Sequence, residues 1–326
     1  MGLLVDGRWH DQWYDTESTG GRFIREDSQF RNWITADGHT GFPAEAGRYH
    51  LYVSLACPWA HRTLIFRRLK QLEEIISISI VHPYMGEQGW TFAPGESCVG
   101  DPIHGKQYLH EIYTLARPDY TGRVTVPVLW DKRENTIVSN ESSEIIRMLN
   151  IEFNALTDCK TDYYPPELRG TIDSINKVVY EKVNNGVYRC GFATRQEAYE
   201  EAFGELFDTL DDLDARLDKQ RYLAGNRLTE ADWRLFTTLV RFDAVYVGHF
   251  KCNRHRIADY PSLSAYLREL YQFPGIEPTV NFRHIKRHYY ESHHQINPTG
   301  LVPLGPELKL DAPHDRDRLP IEPVAN

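Results

Sequence analysis

The 326-residue chain has no apolar run approaching the length of about 18 residues that a membrane span needs. This excludes a helical membrane protein and leaves no membrane partner to expect. It has no basic excess either: 37 Lys and Arg against 46 Asp and Glu give a net charge of −9. A general nucleic-acid binder would need a positive face. Cysteine is scarce, odd in number and widely spaced, at 57, 98, 159, 190 and 252. That pattern excludes a disulfide framework and favours a reducing, cytoplasmic setting. The start, Met1 to Arg8, runs into charge at once and has no signal-peptide core. Gly2 invites acylation, but Asp6 stands where that motif wants Ser or Thr. There are no internal repeats. His284 and His288 share i,i+4 spacing, with His293 and His294 nearby, yet Arg283, Lys286 and Arg287 surround them and disfavour a cation. No metal is expected.

The length suggests about two domains, and the texture changes once. Residues 1–47 are polar, Gly-rich and aromatic, and read as an irregular N-terminal arm. Residues 48–152 read as an α/β domain. A strand over 48–55 leads to a helix over 59–72, with Pro58 suited to its first turn. A strand follows at 75–81. Residues 84–122 look like an insertion. Strands at 125–130 and 136–139 form a hairpin, and a helix begins at 141. Over 164–302 the pattern is all-helical, with helices near 166–184, 195–217, 229–246, 261–272 and 279–290. Thr229 and Asp232 form a capping-box-like start. Residues 303–326 read as a solvated tail.

Three marks carry chemistry. Cys57 sits where a strand gives way to a helix, so unpaired N–H groups and the helix dipole favour its thiolate. His61 and Arg62 add positive potential one turn on. Ala60 stands where a two-thiol redox motif would place its second cysteine, so a mixed disulfide on Cys57 needs an external thiol. Second, Val126-Pro127 puts a proline in an apolar strand. This is either an edge-strand proline or a cis bond that frees the Val126 backbone for a bound peptide. Third, Asn140-Glu141-Ser142-Ser143 opens a helix. Ser142 can cap it, the helix start can hold a carboxylate, and Glu141 can pair with an ammonium group.

Together these marks resemble a thioredoxin-like glutathione site followed by an all-helical domain, the glutathione transferase architecture. The closer resemblance is to the Xi class, the glutathionyl-hydroquinone reductases. It is carried by Cys57-Pro58-Trp59-Ala60-His61-Arg62-Thr63, Gly89-Trp90-Thr91-Phe92, Val126 to Asp131 with Ser139 to Ser143, and His288 to His293 with Ile296-Asn297-Pro298. The resemblance implies that Cys57 is the nucleophile and that Trp90, Arg123, Val126, Glu141 and Ser142 hold glutathione. Arg123 would meet the glycyl carboxylate, Val126 the cysteinyl backbone, and Glu141 with Ser142 the γ-glutamyl end. Tyr188 and one of Tyr289 or Tyr290 would face an aromatic acceptor, with the register between the last two open. It further implies a homodimer, glutathione as co-substrate and a glutathionyl-hydroquinone as substrate. An Omega-like thioltransferase or dehydroascorbate reductase, and a conjugating transferase or dehalogenase, are the alternatives on the same fold.

Overall fold

The computed structural model describes residues 2–322. The chain forms two compact units, each assembled from separated stretches.

The first unit comprises the chain up to Trp13, Glu26–Lys160 and Thr279–Val302. Strands β1 (Leu3–Val5) and β2 (Arg8–His10) form a hairpin. Its two-residue turn is Asp6-Gly7, both at positive φ (47° and 73°), the primed geometry that matches strand twist. Gly7 is required twice over, because a Cβ there would lie 1.9 Å from the Pro118 carbonyl oxygen.

The central sheet follows. Strand β3 (Tyr49–Val53) is buried along its whole length. Helix α1 (Pro58–Leu69) connects it to β4 (Ser77–Ile80), which pairs with it in parallel. Helix α2 (Leu109–Ala116) lies within the stretch read as an insertion, and the short β5 (Gly122–Arg123) straddles its end. Strand β5 pairs with β1, giving a three-stranded sheet in the order β2-β1-β5. The arm is thus partly regular, its hairpin extended into a sheet by β5. The Asp-Gly turn after the apolar triplet Leu3-Leu4-Val5 was the signal that would have revealed it.

Strands β6 (Val128–Asp131) and β7 (Thr136–Ser139) are antiparallel and complete a four-stranded sheet in the order β4-β3-β6-β7. Thr125 to Pro127 precede β6 rather than belonging to it, since proline has no N–H for a ladder. Helix α3 (Ser142–Ile151) closes this βαβ–ββα arrangement, the thioredoxin-like topology.

The second unit comprises Tyr14–Arg25, Thr161–Pro278 and the chain from Pro303. Its helices are α4 (Arg169–Val178), α5 (Gly186–Gly191), α6 (Gln196–Lys219), α7 (Glu230–Arg241) and α8 (Pro261–Tyr271). All twelve residues of α7 are buried, so it is the core helix of this unit. The Thr229 N–H donates to the Asp232 carboxylate at 2.8 Å, completing the capping box. Helices α4 and α7 each widen into a π turn at their C-terminal ends, over Val179–Asn184 and Phe242–Tyr246. Helical periodicity alone does not register that change.

Two segments depart from the sequence reading. Helix α9 (Phe282–Ser292) packs with the first unit although its sequence continues the helical half. The segment after Pro303 is not simply solvated. The Arg316 side chain is fully buried and donates to the Glu269 carboxylate at 2.8 Å and to the Leu217 carbonyl at 3.1 Å. Among the described residues no helix is long and apolar enough to cross a membrane.

Candidate active site

The end of β3 turns sharply. The Cys57 N–H donates to the Ser54 carbonyl at 3.2 Å, and the Ala56 N–H donates to the Ser54 hydroxyl at 3.2 Å. This places Cys57 at the N-cap of α1, with extended backbone angles and Pro58 as the first helical residue. The first turn of α1 holds no acidic side chain that would compete for the dipole. Cys57 is half-buried, and its thiol donates to the Val126 carbonyl at 3.5 Å. The Val126–Pro127 bond is cis. The first two marks read from the sequence therefore meet in space.

The other thiols of this unit are engaged elsewhere. Cys98 donates to the Val81 carbonyl at 3.5 Å. Cys159 donates to the Leu69 carbonyl at 3.2 Å, at the opposite end of α1 and about 18 Å along its axis. Ala60 is fully buried one turn after Cys57.

The third mark adjoins α1 through Arg62. This buried guanidinium lies over the Trp59 ring at 4.5 Å and donates to the Ser142 hydroxyl at 3.4 Å. Ser142 does not cap α3, contrary to expectation; Glu141 does. The helix begins one residue earlier than a Ser142 cap requires, so the Glu141 carboxylate accepts the Ser143 N–H at 2.9 Å and the Ser143 hydroxyl at 2.8 Å. The Ser28 hydroxyl donates to its other oxygen at 3.2 Å. Burial pushes this carboxyl up, but the Ser143 bonds, the Arg62 charge and Ser28 together bring it below its ordinary value. Glu141 is held as an anion.

A buried network fixes the backbone before Val126. The Tyr113 hydroxyl donates to the Thr125 carbonyl at 2.8 Å, and the Asn140 amide donates to the Tyr113 hydroxyl at 3.1 Å. Tyr113, on α2, was not singled out by the sequence reading, because a tyrosine in an apolar helical stripe looks like ordinary core.

Trp90 is buried and stacks on His288 with ring centroids 4.7 Å apart. His288 shares a hydrogen bond with the Pro83 carbonyl at 2.9 Å, and His284 one with the Glu96 carbonyl at 2.9 Å. The histidine pair thus ties α9 to the 83–96 loop. Arg123 extends its guanidinium to the backbone carbonyls of Gln12 and Trp13, at 2.5 and 3.1 Å. Tyr289 is buried, edge-on to His288 and His293. Tyr290 is half-buried, and its carbonyl accepts the Asn297 amide at 2.7 Å.

Sequence comparison matches the N-terminal domain family of glutathione S-transferases over residues 56–151, and the C-terminal domain family over 196–269. Glutathionyl-hydroquinone reductase YqjG of Escherichia coli is 59% identical over 97% of this chain and 99% of its own length. The glutathione-bound structure of YqjG superposes with a TM-score of 0.90, at 55% identity, covering 97% of this chain and 99% of that one. A Xi-class transferase from Natrialba magadii superposes with a TM-score of 0.93, at 52% identity, covering 99% and 98%. The chain belongs to the Xi class of glutathione transferases.

The remaining residue that the resemblance points to in this Xi-class chain, Tyr188, belongs to the second unit, on α5. It is buried among Phe23, Phe192, Tyr246 and Phe250, with the Arg25 guanidinium 5.2 Å from its ring centre. The four rings pack tilted against the Tyr188 phenol, with the cation over its face.

Proposed function

We propose that the protein reduces glutathionyl-hydroquinones to hydroquinones, using glutathione as co-substrate. The observation that carries this reading is Cys57: a half-exposed thiol at a helix N-terminus, beside the Val126 carbonyl, with Ala60 rather than a second cysteine one turn on.

Step one is attack of the Cys57 thiolate on the sulfur of the thioether. The sulfur–carbon bond breaks, the ring carbon gains a proton, and Cys57 carries a glutathione mixed disulfide. A ketonised ring takes up the electron pair that an aromatic carbanion could not hold. Tyrosine hydroxyls then steer the proton, help typically worth about 10²–10⁴-fold. Step two is attack of a second glutathione thiolate on the mixed disulfide. It releases oxidised glutathione and restores Cys57. With no neighbouring thiol, the external tripeptide is the resolving agent.

In this reading Val126 offers its backbone to the cysteinyl part. Glu141, held ionised, takes the γ-glutamyl ammonium, and Ser142 at the start of α3 takes the adjoining carboxylate. Arg123 meets the glycyl carboxylate and Trp90 packs along the peptide. Tyr188 and one of Tyr289 and Tyr290 face the ring. A homodimer accompanies this assignment, and sedimentation of the purified chain tests it.

The deciding experiment compares turnover of a glutathionyl-hydroquinone with conjugation of glutathione to a generic electrophile. Reduction should dominate, with oxidised glutathione formed in step with hydroquinone. Conjugation without reduction would replace this reading with a conjugating transferase.

A further inference from the structure

The second unit holds two buried thiols that the proposed chemistry leaves idle. Cys190 lies in the last turn of α5, and Cys252 in the coil after the π turn Phe242–Tyr246. Cys190 lies close enough to Cys252 to help hold its proton. Other contacts bring the Cys252 segment against the same turn of α5. The Cys252 thiol faces the Val187 carbonyl at 4.0 Å, three residues before Cys190. Phe250, two residues before Cys252, presses on Gly191 so closely that a Cβ there would lie 2.1 Å from its ring. Cys252 belongs to neither helix nor strand, so its backbone can adjust to the geometry a disulfide needs.

We propose that Cys190 and Cys252 form an intramolecular disulfide when the protein meets a small peroxide, making this pair a redox modification site of the second unit. One sulfur attacks a peroxide oxygen, giving a sulfenic acid and, after protonation, water. The other sulfur displaces the sulfenic hydroxyl as a second water. Two S–H bonds and one O–O bond break; one S–S bond and two O–H bonds form. The thiols are oxidised and hydrogen peroxide is reduced.

Burial selects the oxidant. Cys190 is 3% exposed and Cys252 0%, which excludes a tripeptide disulfide but admits a molecule near the size of water after local opening. Burial, with Cys190 adding to it, also keeps Cys252 protonated well above the ordinary thiol range, so the reaction is slow and needs peroxide in excess. The bond would fix one contact in particular. Tyr188 on α5 packs on Phe250 at 5.4 Å, and the disulfide would tie together the two segments that carry these rings.

The test uses the full chain with Cys57→Ser, so that the half-exposed thiol does not compete, treated with excess hydrogen peroxide while folded. Alkylation in denaturant and digestion without reductant should then recover the Cys190 and Cys252 peptides as one cross-linked species. Both thiols should be lost together and restored by dithiothreitol. In the same chain carrying Cys252→Ala, Cys190 should appear in no cross-link. The proposal is overturned if both thiols remain alkylatable, if each oxidises separately to a sulfinic acid, or if Cys190 pairs with another cysteine. None of these outcomes depends on reductase turnover.

Discussion

The Cys57 thiol faces the Val126 carbonyl oxygen across 3.5 Å, joining the N-cap of one helix to the residue before a cis proline 69 positions later. A peptide aligned on the Val126 backbone brings its own sulfur beside Cys57. Cys57→Ala should therefore abolish reductase turnover, measured as hydroquinone release. Cys57→Ser should reduce it severely and can uncover conjugation. Substantial turnover by the alanine variant would reject Cys57 as the nucleophile.

Ala60 lies one turn into α1 from Cys57. Introducing a thiol with Ala60→Cys should supply an internal resolving route. The glutathionylated Cys57 intermediate, followed by intact mass, should then fail to accumulate. Its full persistence would show that the two sulfurs do not meet.

Glu141 is kept ionised by Ser143, Arg62 and Ser28 against the effect of burial. Glu141→Gln retains an acceptor for the Ser143 N–H but removes the charge. The KM for glutathione should rise about 10–100-fold, the range expected for losing a charge-assisted hydrogen bond. The thermal midpoint should change little by comparison. Equal losses in KM and stability would instead assign Glu141 to capping alone.

His50 on β3 shares hydrogen bonds with the hydroxyls of Ser77 at 2.7 Å and Ser79 at 2.9 Å, bridging to β4. Burial, with Lys132 adding to it, lowers its pKa to about 4. The unfolded chain takes up this proton first as pH falls below about 6.5. Stability from this residue is therefore fully present above that pH and is lost as pH drops toward 4, by roughly 3 kcal/mol. His50→Gln should flatten this part of the acid limb, read by urea unfolding across the window.

Arg316 is fully buried against Glu269, which Arg221 also contacts at 2.6 Å. Arg316→Met should destabilise the protein by about 3 kcal/mol, the lower end for breaking a buried pair, since Arg221 still faces Glu269. Denaturant unfolding reads this directly. A change below about 0.5 kcal/mol would mean that the segment after Pro303 contributes no stability.

The local elements were legible where a residue's role depends on its immediate neighbours. Strand-Cys-Pro-helix and Thr-x-x-Asp before α7 each specify backbone geometry within a few positions, whereas the strand read through Val126-Pro127 begins only at Val128. The Asp-Gly hairpin was equally local but stood in a stretch whose polar composition masked it. Ser142 was misread as the cap because Glu141 is an equally competent acceptor one residue earlier, and a sequence does not fix a helix start to one residue.

By itself, then, the sequence determined a thiol at a helix start with no resolving partner beside it, the α/β order followed by helices, and the Xi-class resemblance. Only the tertiary structure decided that Cys57 faces Val126, that Arg62 reaches Ser142, that Tyr113 and Asn140 hold Thr125, that α9 packs with the first unit, and that Arg316 is interior. The physical reason is range. Periodicity and capping act over one or two turns, whereas these contacts join residues 12 to 80 positions or more apart, and such pairings leave no periodic trace along the chain.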